Sequence, residues 1–67
     1  MTTLRLNGQV RTVDEGATLA DVVALLTDRP SGVAAAVDDE VVPRSGWEST
    51  VLPDGARVEV LTAVQGG

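Results

Sequence analysis

The segment "TLADVVALL", residues 18–26, decides the fold because it has the periodicity of an amphipathic helix between segments that alternate like strands. Its apolar side chains recur at i, i+3, i+4 and i+7 and share one face: Leu19, Val22, Val23 and Leu26. Thr18 is a good N-cap, and the Asp21 carboxylate suits the positive end of a helix. Pro30 and Gly32 are predicted to end the helix.

The residues before this helix predict a β-hairpin. In "TLRLNGQVRTV", residues 3–13, Leu4 and Leu6 alternate with a polar residue. Asn-Gly at 7–8 is the strongest short hairpin signal, since both central residues of that turn need a positive φ. Residues 14–16, Asp-Glu-Gly, then end the second strand.

The residues after the helix predict a second hairpin, in "VAAAVDDEVV" at 33–42, that turns at Asp38-Asp39 and stops at Pro43. Ser45 and Glu48 have the spacing of a capping box, which predicts one short helical turn. Residues 53–55, Pro-Asp-Gly, predict a further turn. The last strand is predicted from Arg57 to Val64, with Val58 and Val60 facing inward.

The order β-β-α-β-β-turn-β predicts an α+β fold in which one main helix packs on a small mixed sheet of four to five strands. The first and last strands would lie side by side and parallel in the middle, joined by a right-handed crossover. This is a β-grasp, or ubiquitin-like, roll. It would occupy residues 1–64, and residues 65–67 would form a flexible tail. The core is expected to be aliphatic: Leu4, Leu6, Val13, Leu19, Val22, Val23, Leu26 and the valines of the later strands.

The composition excludes several classes of function. The chain has 67 residues and a net charge of −5, so an acidic surface would repel nucleic acid. It contains no Cys, His or Lys, and therefore no thiol nucleophile, imidazole base or side-chain amine. The apolar run Val33–Val37 is too short to span a membrane, and the first residues do not form a signal peptide. We expect a soluble, cytoplasmic protein that is a monomer when free and binds no metal or cofactor.

The reactive group on offer is the carboxylate of Gly67, at the end of "TAVQGG". ATP can activate a carboxylate as an acyl-adenylate, and a glycine tail can enter a narrow channel in a partner enzyme. Gly66, Gln65 and Val64 would follow it into that channel. Because small terminal residues are common and often disordered, Gly-Gly alone is a weak signal.

Several motifs resemble the ThiS family, the sulfur carrier proteins of thiamine biosynthesis, along essentially the whole chain. The matching segments are "LNG", "TLADVVALL", "VVPRSGW", "LPDGARVEV" and the terminal "GG". The helix pattern is generic, whereas "VPRSGW" and "DGARVEVLTAVQGG" are specific. Two residues depart from the family pattern. Asp38 stands where Asn is usual, and Ala56 replaces the second Asp of a common "DGD", which leaves the detail of both turns open.

The resemblance implies that an E1-like adenylyltransferase activates Gly67 with ATP and magnesium, both bound by that partner and not by this chain. A cysteine desulfurase or another persulfide donor would supply sulfur to form a thiocarboxylate. Thiazole synthase would then accept the sulfur. On this reading the chain is a protein cosubstrate and not an enzyme.

Alternatives remain at this point. The chain could carry sulfur for molybdopterin, cysteine or a secondary metabolite, act as a ubiquitin-like modifier, or be a passive interaction module. Trp47 is a candidate partner anchor, although core packing is the commoner role for a lone Trp, and Arg44 could contact a partner or solvent. The acidic residues 38–40 could suggest a metal site, but a solvated turn is favoured.

Overall fold

The computed structural model describes residues 1–27 and 32–62. The elements follow in this order: β1 Thr2–Leu6, β2 Gln9–Val13, α1 Leu19–Leu26, β3 Val33–Val37, β4 Glu40–Val42, a 3₁₀ helix Arg44–Ser49 and β5 Arg57–Thr62. The predicted element order is therefore confirmed. The end of the last strand at Val64 and the predicted boundary between domain and tail lie outside the described residues.

The strands form one mixed sheet in the order β2-β1-β5-β3-β4. β1 and β5 are adjacent and parallel, with Arg5 opposite Arg57 and Leu6 opposite Val58. The remaining neighbours are antiparallel. The first and last strands thus lie at the centre of a five-stranded sheet, as the sequence predicts.

Helix α1 begins with a complete capping box. The Thr18 hydroxyl accepts a hydrogen bond of 3.3 Å from the Asp21 N–H, and the Asp21 carboxylate accepts one of 3.0 Å from the Thr18 N–H. Leu19, Val22 and Val23 are buried against the sheet. Leu26, predicted to join them, is the last residue of α1 and is 39% exposed. The helix stops before Pro30, which lies outside the described residues.

The core lies between α1 and the inner face of the sheet, and the 3₁₀ helix closes one side. It includes residues that the aliphatic pattern did not predict, such as Ala35, Leu52 and Ala56. Val13 packs against the core but is only half-buried, since β2 is an edge strand. Val58 and Val60 face inward as predicted.

Both hairpin turns form at the predicted residues. Asn7 and Gly8 have φ of 51° and 83°, and Asp38 and Asp39 have φ of 51° and 71°. The departure from the usual Asn at residue 38 therefore leaves the turn intact.

The helical turn predicted near Ser45 is present as the 3₁₀ helix, but its capping box is wrong. The helix begins at Arg44, so Ser45 lies inside it and the N-cap is Pro43, whose side chain cannot cap. The hydroxyls of Ser49 and Thr50 instead donate to the Gly46 carbonyl, at 3.1 and 2.7 Å.

The turn at residues 53–55 is tied to the start of β1. The Thr3 N–H donates to Asp54 Oδ1 at 2.7 Å, and the Gly55 N–H donates to the Thr3 carbonyl at 2.7 Å. Because this turn leads directly into β5, these bonds help to set the parallel pairing of β5 with β1.

Candidate functional site

The candidate site is the end of β5, since this strand leads the chain toward Gly67. On one side, β5 pairs with β3 along its length, from Val58 opposite Val37 to Thr62 opposite Val33. The predicted tail residues Val64, Gln65, Gly66 and Gly67 lie outside the described residues, so their roles stay predictions.

On its other side, the upper part of β5 is held by a side chain. Asn7 Oδ1 accepts a hydrogen bond of 2.8 Å from the Val60 N–H, and Asn7 Nδ2 donates one of 3.2 Å to the Val60 carbonyl. The sequence reading treated Asn7 as a turn residue alone. No local sequence pattern predicts this contact, because it joins residues far apart in the chain.

The start of β5 is tied to the acidic turn between β3 and β4. The Asp38 N–H donates to the Arg57 carbonyl at 2.7 Å, and the Arg57 N–H donates to Asp38 Oδ1 at 2.9 Å. The Arg57 guanidinium also pairs with the Asp39 carboxylate. The bond from the Arg57 N–H requires only an oxygen acceptor on the side chain of residue 38, so Asp serves where the family pattern has Asn.

In the described part of the chain, no group of three or more acidic residues has an arrangement that could hold a metal ion. For residues 38–40, the favoured interpretation of a surface turn agrees with the contacts of Asp38 and Asp39 with Arg57.

The outer face of the sheet, which points away from α1, presents an apolar surface beside the end of β5. Leu61 lies opposite Ala34, and Ala36 lies between Val41 on β4 and Glu59 on β5, so the four apolar side chains share one face that Glu59 borders. Leu61 is 70% exposed and Val41 is 72% exposed. We call this set Ala34, Ala36, Val41 and Leu61 the outer patch.

Trp47 belongs to the core. Its side chain is 3% exposed, and its Nε1 donates a hydrogen bond of 2.9 Å to the Val42 carbonyl. The favoured prediction of core packing is therefore confirmed, and the alternative role as a partner anchor is not supported, because an anchor needs an exposed ring.

Arg44, the other predicted interface residue, is exposed at the first position of the 3₁₀ helix. It borders an open depression of about 560 Å³ between α1 and the 3₁₀ helix, with Val23 and Ala24 among its apolar lining residues. The structure neither joins Arg44 to the end of β5 nor tests its role, and a partner contact there stays a prediction.

Comparison with known proteins decides the family. The model of the ThiS family matches residues 4–67. This chain belongs to the ThiS family. The sulfur carrier protein ThiS of Escherichia coli K12 is 28% identical to it over 61 residues, which cover 91% of this chain and 92% of that protein.

Solved structures agree. A thiamine biosynthesis protein (ThiS) from Geobacter metallireducens, known from a crystal structure, is 31% identical in sequence to this chain. The two structures have a TM-score of 0.76, and the match covers 98% of this chain and 100% of that one. The NMR structure of a thiamine biosynthesis protein from the same organism is 29% identical, with a TM-score of 0.79 over 98% and 88% of the two chains. The predicted β-grasp fold is confirmed.

The functional class follows from these comparisons. The chain is a sulfur carrier protein of thiamine biosynthesis, as predicted, and the comparisons favour none of the other carriers, the modifier or the passive module. Carriers of this family act together with partner enzymes. In the described residues, no helix is both long enough and apolar enough to cross a membrane.

Proposed function

We propose that the Gly67 carboxylate is the group that carries sulfur. The observation that supports this most strongly is the ThiS family match, which extends through residue 67. The chain has no Cys, so no side-chain thiol can carry the sulfur. The fold also supports the proposal, because β5 is the central strand of the sheet, is paired on both sides and leads toward Gly67.

The proposed chemistry begins with the Gly67 carboxylate, which attacks the α-phosphate of ATP. Pyrophosphate leaves and an acyl-adenylate forms. The terminal sulfur of a persulfide then displaces AMP at the acyl carbon, and a thiol reduces the sulfur–sulfur bond, which leaves a thiocarboxylate. Its sulfur is a nucleophile, so the carrier needs no base of its own.

The proposed partners follow from these steps. An E1-like adenylyltransferase would bind ATP and magnesium, a cysteine desulfurase or other persulfide donor would provide sulfur, and thiazole synthase would accept it. The chain itself would be a cosubstrate, a monomer when free, and would bind no cofactor. Because activation depends on the ATP pool of the cell, we propose that it acts in the cytoplasm.

We further propose that the adenylyltransferase contacts the outer patch. Exposed apolar side chains that lie together on a small protein mark a surface for a partner. Leu61 lies on β5 itself, so an enzyme that took in the chain beyond Thr62 would meet this surface next. Gly66, Gln65 and Val64 would occupy the enzyme channel between the patch and the bound nucleotide.

ATP–pyrophosphate exchange with the cognate adenylyltransferase tests this function. We expect exchange of labelled pyrophosphate into ATP that depends on the chain and is lost when Gly66 and Gly67 are deleted. Exchange that the deletion leaves unchanged would contradict the role of Gly67. A known carrier of the same enzyme serves as the positive control.

A further inference from the structure

We propose that Asn7 is a positioning residue for sulfur loading, since its side chain takes the place of a strand beside β5 and fixes the end of β5 from which the chain continues to Gly67. This inference rests on the proposed function of Gly67. Asn7 is far from Gly67 in the sequence. Its place in the turn motif would by itself explain why an asparagine stands there.

The β1–β5 ladder shows why a substitute is needed. The Arg5 N–H donates to the Ala56 carbonyl and the Asn7 N–H donates to the Val58 carbonyl, each at 2.9 Å. The next step of a parallel ladder would use the backbone of β1 at Val60. The hairpin turn at Asn7 and Gly8 prevents this, because both residues have positive φ and lead the backbone into β2.

The side chain of Asn7 supplies what the backbone cannot. Its Oδ1 accepts from the Val60 N–H at 2.8 Å, as a strand carbonyl would, and its Nδ2 donates to the Val60 carbonyl at 3.2 Å, as a strand amide would. The Val60 residue is 5% exposed, so water has little access to replace these bonds. An unpaired peptide group at such a position is costly.

Asparagine suits this position for two separate reasons. It tolerates the positive φ of 51° better than most residues with a side chain. Its amide also presents a donor and an acceptor in one planar group, like a peptide. Aspartate would keep the acceptor and lose the donor, and glycine would keep the turn and lose both.

The consequence concerns the end of β5. Leu61 and Thr62 pair with β3 through Ala34 and Val33. On the side of β5 that faces β1, the described hydrogen bonds beyond Val58 are those between the Asn7 side chain and the Val60 backbone. Without it this end would be held along one edge, and strand ends with few partners open more easily. The adenylyltransferase would then meet a carrier in which the end of β5 no longer has one fixed position.

The experiment compares Asn7→Gly and Asn7→Asp with the wild type and with Thr18→Ala. Thr18→Ala loses a helix cap far from β5 and controls for a general loss of stability. Amide hydrogen exchange by NMR measures the Val60 and Leu61 N–H groups. Adenylation rates are measured over a range of carrier concentrations, which gives KM and kcat separately.

We expect Asn7→Gly to raise the Val60 exchange rate roughly tenfold or more relative to Thr18→Ala after correction for global stability. Asn7→Asp, which keeps the acceptor, should show a smaller rise. Both Asn7 variants should raise the KM for the carrier several-fold with little change in kcat, and Thr18→Ala should leave KM near the wild-type value.

Unchanged Val60 exchange in both Asn7 variants would overturn the inference, and so would a KM that rises equally in Thr18→Ala. If Asn7→Gly does not fold, Asn7→Asp decides the same question. A wild-type chain that is not adenylated at all would contradict the proposed function of Gly67 instead. The exchange rates would still show whether Asn7 holds β5.

Discussion

Trp47 Nε1 donates a hydrogen bond of 2.9 Å to the carbonyl of Val42, the last residue of β4. The bond joins the 3₁₀ helix to the edge of the sheet while the indole ring fills the core. Trp47 is the only aromatic residue of the chain and the largest side chain among the core residues.

Trp47→Phe should destabilise the fold by about 1–3 kcal/mol, because the Val42 carbonyl loses its donor and part of the ring volume is lost. Urea denaturation measures the change. Glu48→Ala, at an exposed position in the same helix, is the control and should change stability by about 0.5 kcal/mol or less. Unchanged stability together with a loss of adenylation would show instead that Trp47 is a partner anchor.

Thr18→Ala should lower the free energy of unfolding by about 1 kcal/mol, since it removes the hydroxyl that accepts from the Asp21 N–H. Ser45→Ala is a matched control. The capping box predicted for Ser45 does not form, so this substitution should change the free energy of unfolding by close to zero. Equal losses in both variants, measured by urea denaturation, would contradict the observed caps.

Leu61→Ser should raise the KM of the adenylyltransferase for the carrier several-fold, because it removes an apolar side chain from the proposed contact surface. Val10→Ser is the control: Val10 is 67% exposed and lies on the same outer face, opposite Arg5 on the far side of β1. Both changes should have similar, small effects on stability. A KM that rises in both variants, or in neither, would count against the outer patch as the docking surface.

Gly67→Ala should reduce sulfur loading severely and leave stability within about 0.5 kcal/mol of the wild type. The added methyl group would crowd the acyl carbon inside the channel of the adenylyltransferase. Thiocarboxylate yield measured beside urea denaturation separates the two effects. Normal loading of the variant would show that the channel does not require glycine.

The sequence predicts most of the fold because its signals are local. Asn7-Gly8 specifies a turn by its backbone preference, and the spacing of Leu19, Val22 and Val23 specifies one face of a helix. These signals depend on a few neighbouring residues. The order of the elements then leaves few ways to cover one helix with one small sheet.

The errors occur where the end of a helix or a contact between distant residues decides the outcome. The Ser45–Glu48 motif has the right spacing, but the N-cap of the 3₁₀ helix is Pro43, two residues before Ser45. Leu26 fits the apolar stripe, yet α1 ends there and leaves it partly exposed. The Asn7–Val60 contact could not be predicted, since it depends on the register of β1 and β5.

The candidate site, too, could be predicted only in part from the sequence. The proposed chemistry of Gly67 comes from the sequence alone, because it depends on the terminal carboxylate and on the absence of Cys, His and Lys. The outer patch required the register of β3, β4 and β5, which places Ala34, Val41 and Leu61 on one face.

The most direct test of the central claim is the intact mass of the chain after incubation with ATP, magnesium, its adenylyltransferase and a sulfide source. We expect a mass gain equal to the replacement of one oxygen by sulfur, and fragment masses should place it at Gly67. An unchanged mass, obtained with an adenylyltransferase shown to be active on a known carrier, would show that Gly67 does not carry sulfur.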